Sequence, residues 1–586
     1  MLYHDSHAAE CRAPLGPVPC RRPVRLRLHG TDEMTQVWLI LTVNGERQEL
    51  DMVRGDDGSH EIRLMMPDQP AIVQYFFYVQ NQDGAGEYYG NAWDGIGGVG
   101  VTCGPEPVPY QITVYDPDYE TPEYLRTGVM YQIFPDRFHR LGVPVTGRTN
   151  CMVHEHWEDE PIKRVPNVPD KDNYALDFFG GSLNGIAEKL DYLREMGVTV
   201  LYLNPVFQAR TNHRYDTGDY TKIDPFLGTK EDFERLCRLA GEKGIRIILD
   251  GVFNHTGFDS LYFNAFGRYG EGGAYRDRRS PYRSWYRFRR WPKDYHCWWG
   301  IKSLPELNKD NPEVREYFLG EKGIVRKWLA EGASGWRLDV ADELPVSYLR
   351  ELRQSARAEK PDAAIIGEVW EDASHKVTYG QMRSYCLGDT VDSVMNYPVR
   401  TAVLDFLTGR IAAWDVERLI LSQQENYAPP FYYSLMNILG SHDRPRALSL
   451  LMGEVDGNED HEPLHHTVTD AQLALGKERL KTAYRLISAL PGIPCVYYGD
   501  ECGMRGGADP YCRGTFPWGN EDKALQAEIR GTLSCRRRRV FQTGALRVYA
   551  ENADTLVIIR EITGGHDVFG APAENDRAEV RITRPS

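Results

Sequence analysis

Residues 182–204 read SLNGIAEKLDYLREMGVTVLYLN, and this stretch decides the fold of the larger part of the chain. Its first part predicts a helix that Ser182 caps and Gly197 ends. Four apolar side chains recur at helical spacing on one face: Leu183, Ile186, Leu190 and Leu193. Its second part, VTVLYLN, is almost continuously apolar, as expected of a strand that is buried on both faces of a parallel sheet. The stretch therefore predicts alternating helices and parallel strands.

The same alternation extends from residue 129 onward. A second helix, TKEDFERLCRLAGEKG, opens with Thr229 as its cap and Asp232 three residues later. Eight apolar strands follow one another along the chain: VMYQIF, VTVLYLN, IRIILD, GWRLDV, AIIGEV, DSVMNY, SLMNIL and IPCVYYG. Eight strands that alternate with helices predict a (β/α)8 TIM barrel, which we assign to residues 119–530.

Residues 253–312 separate the third and fourth predicted strands and are too many for an ordinary loop. We predict that they form a small inserted domain at the active-site end of the barrel. Their segment RSWYRFRRWP alternates arginine with aromatic rings, which suits nucleic-acid binding. The favoured interpretation is that rings and guanidinium groups stack to hold the insertion itself. The run RRRR at 536–539 is predicted to be a solvated helix face.

The two flanks of the barrel show strand patterns without helical periodicity. Residues 1–118 alternate apolar strands with NG and DG turns, which predicts an immunoglobulin-like β-sandwich. Residues 531–586 contain the strand-like pieces LRVYA, TLVIIRE and AEVRIT. They predict a short C-terminal β domain.

Composition excludes several classes of function. The 586 residues carry a net charge of −15, which disfavours nucleic acid as a partner. The first residues lack the apolar run of a signal peptide, and no stretch approaches the length of a membrane span. The 11 cysteines are scattered and lack CxxC spacing, as in a reduced cytosolic protein. We therefore predict a cytoplasmic protein with no membrane partner.

Titratable side chains follow several predicted strands, at the end where barrel enzymes hold their active sites. Asp339 follows the fourth strand and Glu368 the fifth. Neighbouring strands lie about 4.8 Å apart, so these carboxyl groups can approach the roughly 5–5.5 Å separation of a retaining glycosidase. Asp443 follows the seventh strand and can stabilise an oxocarbenium-like transition state.

The neighbours of the two carboxyl groups predict different roles for them. Arg337 lies two residues before Asp339 on the same strand face, so its charge is expected to keep Asp339 ionised as a nucleophile. Glu368 precedes apolar residues, and desolvation is expected to raise its pKa so that it serves as an acid. Asp250 is either a loop staple or a partner of Arg337.

The segments DGVFNH, GWRLDVADE, GEVW and GSHD, in this order and spacing, resemble the conserved regions of the α-amylase family, glycoside hydrolase family 13. The resemblance covers about residues 115–535. The N-terminal sandwich and the segments GEVWEDAS and GMRGGADPYCR are most similar to the group of neopullulanases, cyclomaltodextrinases and maltogenic amylases.

The resemblance implies the catalytic assignment. Asp339 would be the nucleophile, Glu368 the general acid and base, and Asp443 the stabiliser of the transition state. Further residues would line the subsite where cleavage occurs, namely Arg337, His255 and His442, with Asp250 as a further candidate.

The resemblance also implies the neighbouring subsites. Tyr215 would stack on a sugar with His213 nearby. Asp509 and Arg513 would hold the next sugar on the non-reducing side. Trp370 would lie near the leaving-group sugar. A homodimer is expected, in which one N-terminal domain narrows the partner's cleft.

Two departures from the family pattern bear on substrate and metal. The segment LPELN at 304–308 has Glu306 where lysine is expected, so the preferred substrate stays open. After PDRF comes HRLGV, without the Asn/Asp-rich loop that often binds calcium in relatives. Asn254 alone is not a site, because calcium takes six to eight oxygens. No cofactor is expected to be required, and calcium is disfavoured.

The predicted function is hydrolysis of α-1,4 bonds, with α-1,6 bonds as a further target, through a covalent glycosyl-enzyme. The substrates would be malto-oligosaccharides, cyclodextrins or pullulan. A transglycosylase shares the scaffold and the intermediate and differs in whether a sugar outcompetes water. A non-catalytic glucan-binding relative is the third hypothesis, which the presence of all three carboxylates disfavours.

Overall fold

The computed structural model describes residues 1–142, 149–166, 168, 173–455 and 468–585. Its centre is a barrel of eight parallel strands that match the eight predicted segments. In chain order they are β1 Met130–Ile133, β2 Val200–Leu203, β3 Arg246–Gly251, β4 Gly335–Leu338, β5 Ala364–Gly367, β6 Ser393–Val394, β7 Met436–Ile438 and β8 Ile493–Tyr497.

The strands pair in the order β6-β5-β4-β3-β2-β1-β8-β7. A parallel bridge between Met395 and Met436 joins the two edges and closes the ring. Alternate side chains point inward, where Tyr202, Ile248 and Ile366 belong to the barrel's own core. The opposite side chains pack against the surrounding helices in the larger core. Strands buried on both faces explain why each reads as a continuous apolar run.

Helices lie between the strands and after β8. The α-helices are Pro135–Phe138, Leu183–Glu188, Leu190–Glu195, Lys230–Glu242, Pro312–Leu319, Ile324–Ala330, Val346–Glu359, Tyr397–Thr408, Ala413–Asn426, Pro429–Tyr432, Ala447–Leu451, Asp470–Ala489, Lys523–Leu533 and Arg539–Thr543. Short 3-10 turns are Glu123–Leu125, Arg283–Trp285, Trp298–Gly300, Ala341–Glu343, Asp500–Cys502, Tyr511–Arg513 and Ser534–Arg537.

Two predicted helix starts are confirmed by their caps. Ser182 accepts a hydrogen bond from the N–H of Gly185, and Thr229 forms a reciprocal capping box with Asp232. The first helix is not continuous as predicted. It breaks at Lys189, whose N–H bonds to the carbonyl of Ile186 in a tighter turn than an α-helix has.

The insertion between β3 and β4 contains the short paired strands Phe288–Arg290 and Asp294–Tyr295. Its arginines stack on its own rings, as the favoured interpretation predicted. The guanidinium carbon of Arg283 lies 4.1 Å from the ring centre of Phe288, and that of Arg278 lies 4.7 Å from the ring centre of Trp291. These contacts hold the insertion together.

The N-terminal part forms two sheets. One contains Arg12–Ala13, Pro23–Leu28, Val53–Arg54 and His60–Met65, and the other contains Val18–Pro19, Met34–Val43, Glu46–Asp51, Ala71–Asn81, Gly86–Gly90, Val101–Cys103 and Tyr110–Tyr115. They share one apolar core. A buried ion pair between Arg12 and Glu425, 2.8 Å apart, joins this part to the barrel.

The C-terminal part is an antiparallel sheet of Ala545–Asn552, Thr555–Ile562 and Asp576–Thr583. The prediction for RRRR was wrong at Arg536, which is fully buried. Its guanidinium donates to backbone carbonyls of Gly492 and Phe541, so it satisfies carbonyls near the start of β8 instead of facing solvent. Within the described ranges, no helix combines the length and the apolar character needed to cross a membrane.

Candidate active site

A cavity of about 1010 Å³ opens at the carboxyl ends of the barrel strands, and Asp339, Glu368 and Asp443 all line it. The structure therefore brings together three carboxyl groups that are up to 104 residues apart in the chain. Other predicted site residues that line the same cavity are His213, Tyr215, His255, Trp370, His442, Asp509 and Arg513. Arg337 and Asp250 lie buried beneath it.

The strand ends position the two central carboxyl groups. Leu338 and Gly367 are register partners at the ends of β4 and β5, and Asp339 and Glu368 are the next residue of each strand. The N–H of Glu368 donates to the carbonyl of Leu338 at 3.0 Å. Adjacent parallel strands therefore present these two side chains side by side.

Arg337 is the cation shared by the buried carboxylates. Its Nη1 donates to Asp250 Oδ1 at 2.9 Å and to Asp339 Oδ1 at 3.2 Å. Its Nη2 lies 3.0 Å from Glu368 Oε2. One planar guanidinium therefore contacts both carboxyl groups, which brings Asp339 and Glu368 to the same buried cation.

The pKa values of the central pair differ from the expectation drawn from the sequence. Burial, followed by repulsion from Glu368, raises the pKa of Asp339 well above its usual range. Burial also raises the pKa of Glu368, and Arg337 opposes this rise. Arg337 therefore does not separate the roles as predicted, because it contacts both carboxyl groups. Instead, the pair retains a proton to higher pH than an exposed pair would.

Asp443 lines the same cavity and contacts Arg513 and His442. Its Oδ1 accepts a hydrogen bond from Arg513 at 3.3 Å, and its Oδ2 lies 3.0 Å from His442 Nε2. Arg513 also forms an ion pair with Asp509 at 2.7 Å, whose other oxygen accepts from the hydroxyl of Tyr174. This end of the cavity thus contains charged groups whose positions are fixed by one another.

The three histidines of the cavity are neutral at physiological pH. Burial lowers the pKa of His255 to about 3 and places the pKa values of His213 and His442 well below the usual value. In the described part of the chain, the buried Nε2 of His255 has no hydrogen-bond partner. These imidazoles therefore add no positive charge to the cavity.

Tyr215 forms part of the cavity wall, and contacts with His442 and Asp250 fix its position. Its ring stacks on His442, with centroids 5.2 Å apart. Its hydroxyl donates to Asp250 Oδ2 at 2.8 Å, and Tyr202 donates to the same oxygen at 2.6 Å. Asp250 therefore supports Arg337 and Tyr215 from below and does not line the cavity.

The residues around Asn254, the position considered for calcium, already contact the ammonium group of a lysine. Lys309 Nζ donates to Asn254 Oδ1 at 2.6 Å and to Glu306 Oε1 at 2.7 Å, and the lysine side chain is buried. Calcium needs several oxygens that are not engaged by an ammonium group. The residues around Asn254 therefore do not fit calcium.

Some cavity residues were not identified from the sequence: Tyr174, Trp298, Trp299, Glu343 and Tyr379. They lie in loops or short turns, where periodicity gives no signal. The adjacent tryptophans at 298–299 in the insertion were the one sequence signal that could have indicated these cavity residues.

Known proteins are similar to this chain in sequence. The model of the α-amylase catalytic domain matches residues 132–530. An amylopullulanase of Thermoanaerobacterium saccharolyticum is 38% identical over 100% of this chain and 48% of its own length. A cyclomaltodextrinase of Geobacillus thermopakistaniensis (strain MAS1) is 33% identical over 79% of this chain and 71% of its own.

A solved structure is similar as well. It is the cyclic α-maltosyl-(1→6)-maltose hydrolase of Arthrobacter globiformis in complex with cyclic α-maltosyl-(1→6)-maltose. Its TM-score is 0.65 at 31% identity, over 79% of this chain and 92% of that one. The chain spans less than half the length of the amylopullulanases that it matches.

Proposed function

Because the chain belongs to the α-amylase family, we propose that it is a retaining hydrolase of α-glucans. It would cleave α-1,4 bonds, with α-1,6 bonds as a further target. The observation that carries this proposal is the contact of Asp339 and Glu368 with one guanidinium at the wall of one cavity, which Asp443 also lines. This is the arrangement that a double displacement at a sugar carbon requires.

In the first step, Asp339 attacks the anomeric carbon and Glu368 gives its proton to the glycosidic oxygen. The carbon–oxygen bond breaks, and the leaving sugar departs with that proton. The raised pKa values of the pair support this step, because the acid must still hold its proton near neutral pH. Growing positive charge on the sugar favours the ionised form of the carboxyl group that faces it, which we assign as Asp339.

In the second step, water attacks the anomeric carbon of the glycosyl-enzyme while Glu368 takes its proton. Asp339 is released, and two inversions leave the anomeric configuration unchanged. Asp443 accepts hydrogen bonds from sugar hydroxyls, and Arg513 fixes its position. The neutral histidines and Tyr215 bind the same ring.

The proposed substrates are malto-oligosaccharides, cyclodextrins and pullulan. Their support is the named activity of the relatives and the cyclic maltosyl sugar held by the similar solved structure. We further propose a cytoplasmic homodimer that requires no cofactor, with an immunoglobulin-like N-terminal sandwich. Its 11 scattered cysteines without CxxC spacing support a reducing compartment.

Proton NMR of the first product tests the proposed mechanism. With maltohexaose or γ-cyclodextrin as substrate, we expect the newly formed reducing end to appear first as the α-anomer and to mutarotate later. A β-anomer that appears first would show inversion and end the assignment of Asp339 as a nucleophile. Comparison of γ-cyclodextrin, pullulan and soluble starch would then establish the preferred substrate.

A further inference from the structure

The two carboxyl oxygens of Glu368 have different donors. Oε2 accepts a hydrogen bond from the N–H of Val340 at 2.8 Å and lies 3.0 Å from Nη2 of Arg337. Oε1 accepts a hydrogen bond from the indole N–H of Trp370 at 3.2 Å. A neutral carboxyl group has one hydroxyl oxygen and one carbonyl oxygen. Oε2 contacts both an N–H and a cation and therefore suits the carbonyl oxygen, so the proton of the acid belongs on Oε1, the oxygen that Trp370 contacts.

Side chains from two other segments pack on the indole ring of Trp370. The guanidinium carbon of Arg444 lies 3.9 Å from the ring centre. The ring of Tyr397 stacks on the indole with centroids 4.7 Å apart and an interplanar angle of 8°. Trp370 follows β5, Tyr397 begins the helix after β6, and Arg444 follows β7. Three successive strand ends of the barrel therefore meet at this ring.

The contact with Trp370 is the one that accounts for Arg444. The neighbouring carboxylate of Asp443 contacts His442 and Arg513 instead. In the ranges that the structure describes, the buried Nε of Arg444 has no hydrogen-bond partner. A half-buried guanidinium with an unused donor is not placed by charge pairing, whereas packing on an aromatic ring stabilises it.

We propose that Arg444 is a positioning residue for the proton donor: it fixes the indole of Trp370, whose N–H holds Oε1 of Glu368 in place for the glycosidic oxygen. This proposal rests on the proposed hydrolase function. The terminal torsion of a glutamate is broad, so a carboxyl group that is held at one oxygen only can turn. Proton transfer requires the donor atom within hydrogen-bond reach of the accepting oxygen. The contact at Oε1 therefore supplies the second point that fixes the acid.

The same contact predicts an effect on pH dependence. The charged and titratable groups that interact with Glu368 are Arg337, Asp339, Asp443, Arg444, Tyr202 and Tyr397. Burial raises the pKa of Glu368, and the Trp370 N–H is one of the contacts that oppose the rise. Removal of this N–H should raise the pKa further. The fall of kcat/KM on the alkaline side should then move to higher pH, because the acid keeps its proton longer.

Two aryl α-maltosides separate proton transfer from sugar binding. Phenol leaves only with a proton, 4-nitrophenol needs the proton much less, and both place an aryl ring in the same position. The measured quantity is the ratio of kcat/KM for phenyl α-maltoside to kcat/KM for 4-nitrophenyl α-maltoside. Trp370→Phe keeps a ring without the N–H, and Arg444→Met and Arg444→Gln remove the guanidinium. Arg126→Met is the control, because Arg126 also packs on a ring, that of Phe569 at 4.6 Å, but outside the cavity.

We expect the Trp370 and Arg444 variants to lower this ratio about tenfold relative to wild type and to Arg126→Met, which is part of the roughly 10²–10⁴-fold that an acid contributes. With phenyl α-maltoside, the alkaline fall of kcat/KM should move to higher pH in the same variants. A disturbance of Asp443, the neighbour of Arg444, would slow both substrates alike and leave the ratio unchanged.

A double variant tests whether Arg444 acts through the indole. Adding Arg444→Met to Trp370→Phe should change the ratio by less than about twofold, because the N–H that Arg444 positions is already absent. Two losses that multiply would overturn the proposed role. An unchanged ratio and alkaline fall in the single variants would overturn it as well. Failure of the wild type to hydrolyse maltohexaose and both maltosides would instead overturn the proposed function.

Discussion

A buried glutamate outside the cavity gives a quantitative prediction about stability. Glu501 is fully buried, and its Oε1 accepts hydrogen bonds from the hydroxyls of Tyr131 and Tyr192 at 2.6 and 2.5 Å. Its Oε2 has no partner in the described residues. Burial raises the pKa of Glu501 from 4.5 to about 7, and the two hydroxyls oppose the rise. We predict that Glu501→Gln stabilises the protein at alkaline pH.

The sign and size follow from proton linkage. The folded pKa is above the unfolded value, so the contribution of Glu501 to stability is fully present below pH 4.5 and declines as pH rises toward 7. One pKa unit corresponds to about 1.4 kcal/mol, so the loss above pH 7 is on the order of 3 kcal/mol. Glutamine accepts the same two hydrogen bonds and does not ionise, so the variant escapes this loss.

The assay is the difference in Tm between Glu501→Gln and wild type, measured from pH 5 to 8.5 at one scan rate. We expect this difference to rise with pH in favour of the variant and to level near pH 7, by several degrees in total. Glu478→Gln is the matched control, because the side chain of Glu478 is 60% exposed. A Tm difference that stays constant, or that falls as pH rises, would refute the raised pKa of Glu501.

Two further predictions concern the site. Lys309→Met leaves Asn254 and Glu306 without their shared ammonium group. We expect the free energy of unfolding to fall by about 1–3 kcal/mol and the insertion to be proteolysed faster, and added calcium should not reverse either change. Lys302→Met, at an exposed position, is the control. Proteolysis equal to that of the control would contradict this. Asp339→Asn should lower kcat on the order of 10⁴-fold or more with unchanged Tm, and a substantial residual rate would exclude Asp339 as the nucleophile.

The barrel could be predicted because its physics is local. Strands buried on both faces must be apolar throughout, and helices that pack on them must repeat at 3.6 residues. The same regularity placed Asp339 and Glu368 at neighbouring strand ends, since successive strands of a barrel are adjacent in space. The sequence alone therefore predicted three carboxyl groups at one end of one barrel.

What the sequence did not predict depends on contacts between distant segments. Arg337 was expected to keep Asp339 ionised, with Asp250 as a further candidate partner. Its contact with Glu368 after β5 was not expected, because the reach of its guanidinium to a neighbouring strand is a tertiary property. Arg536 lies in a run of arginines that has the pattern of a solvated face, yet carbonyls from other segments enclose it. The ring of Tyr379 is placed by a strained turn and by Glu343, 36 residues away. Local patterns encode none of these partners.

Backbone strain connects the chemistry to the rim of the cavity. Val340, which directly follows Asp339, has φ 41° and ψ 57°, a conformation that β-branched residues rarely adopt. This conformation directs its N–H to Glu368 Oε2 at 2.8 Å, so the residue after one carboxyl group holds the other. Strain of this kind costs about 1–3 kcal/mol per residue, and it recurs at Trp299 and Tyr379 on the same cavity. All three residues line the catalytic cavity. Each of these backbones fixes a group that lines the cavity: the carboxyl group of Glu368 through Val340, and the rings of Trp299 and Tyr379 through their own turns.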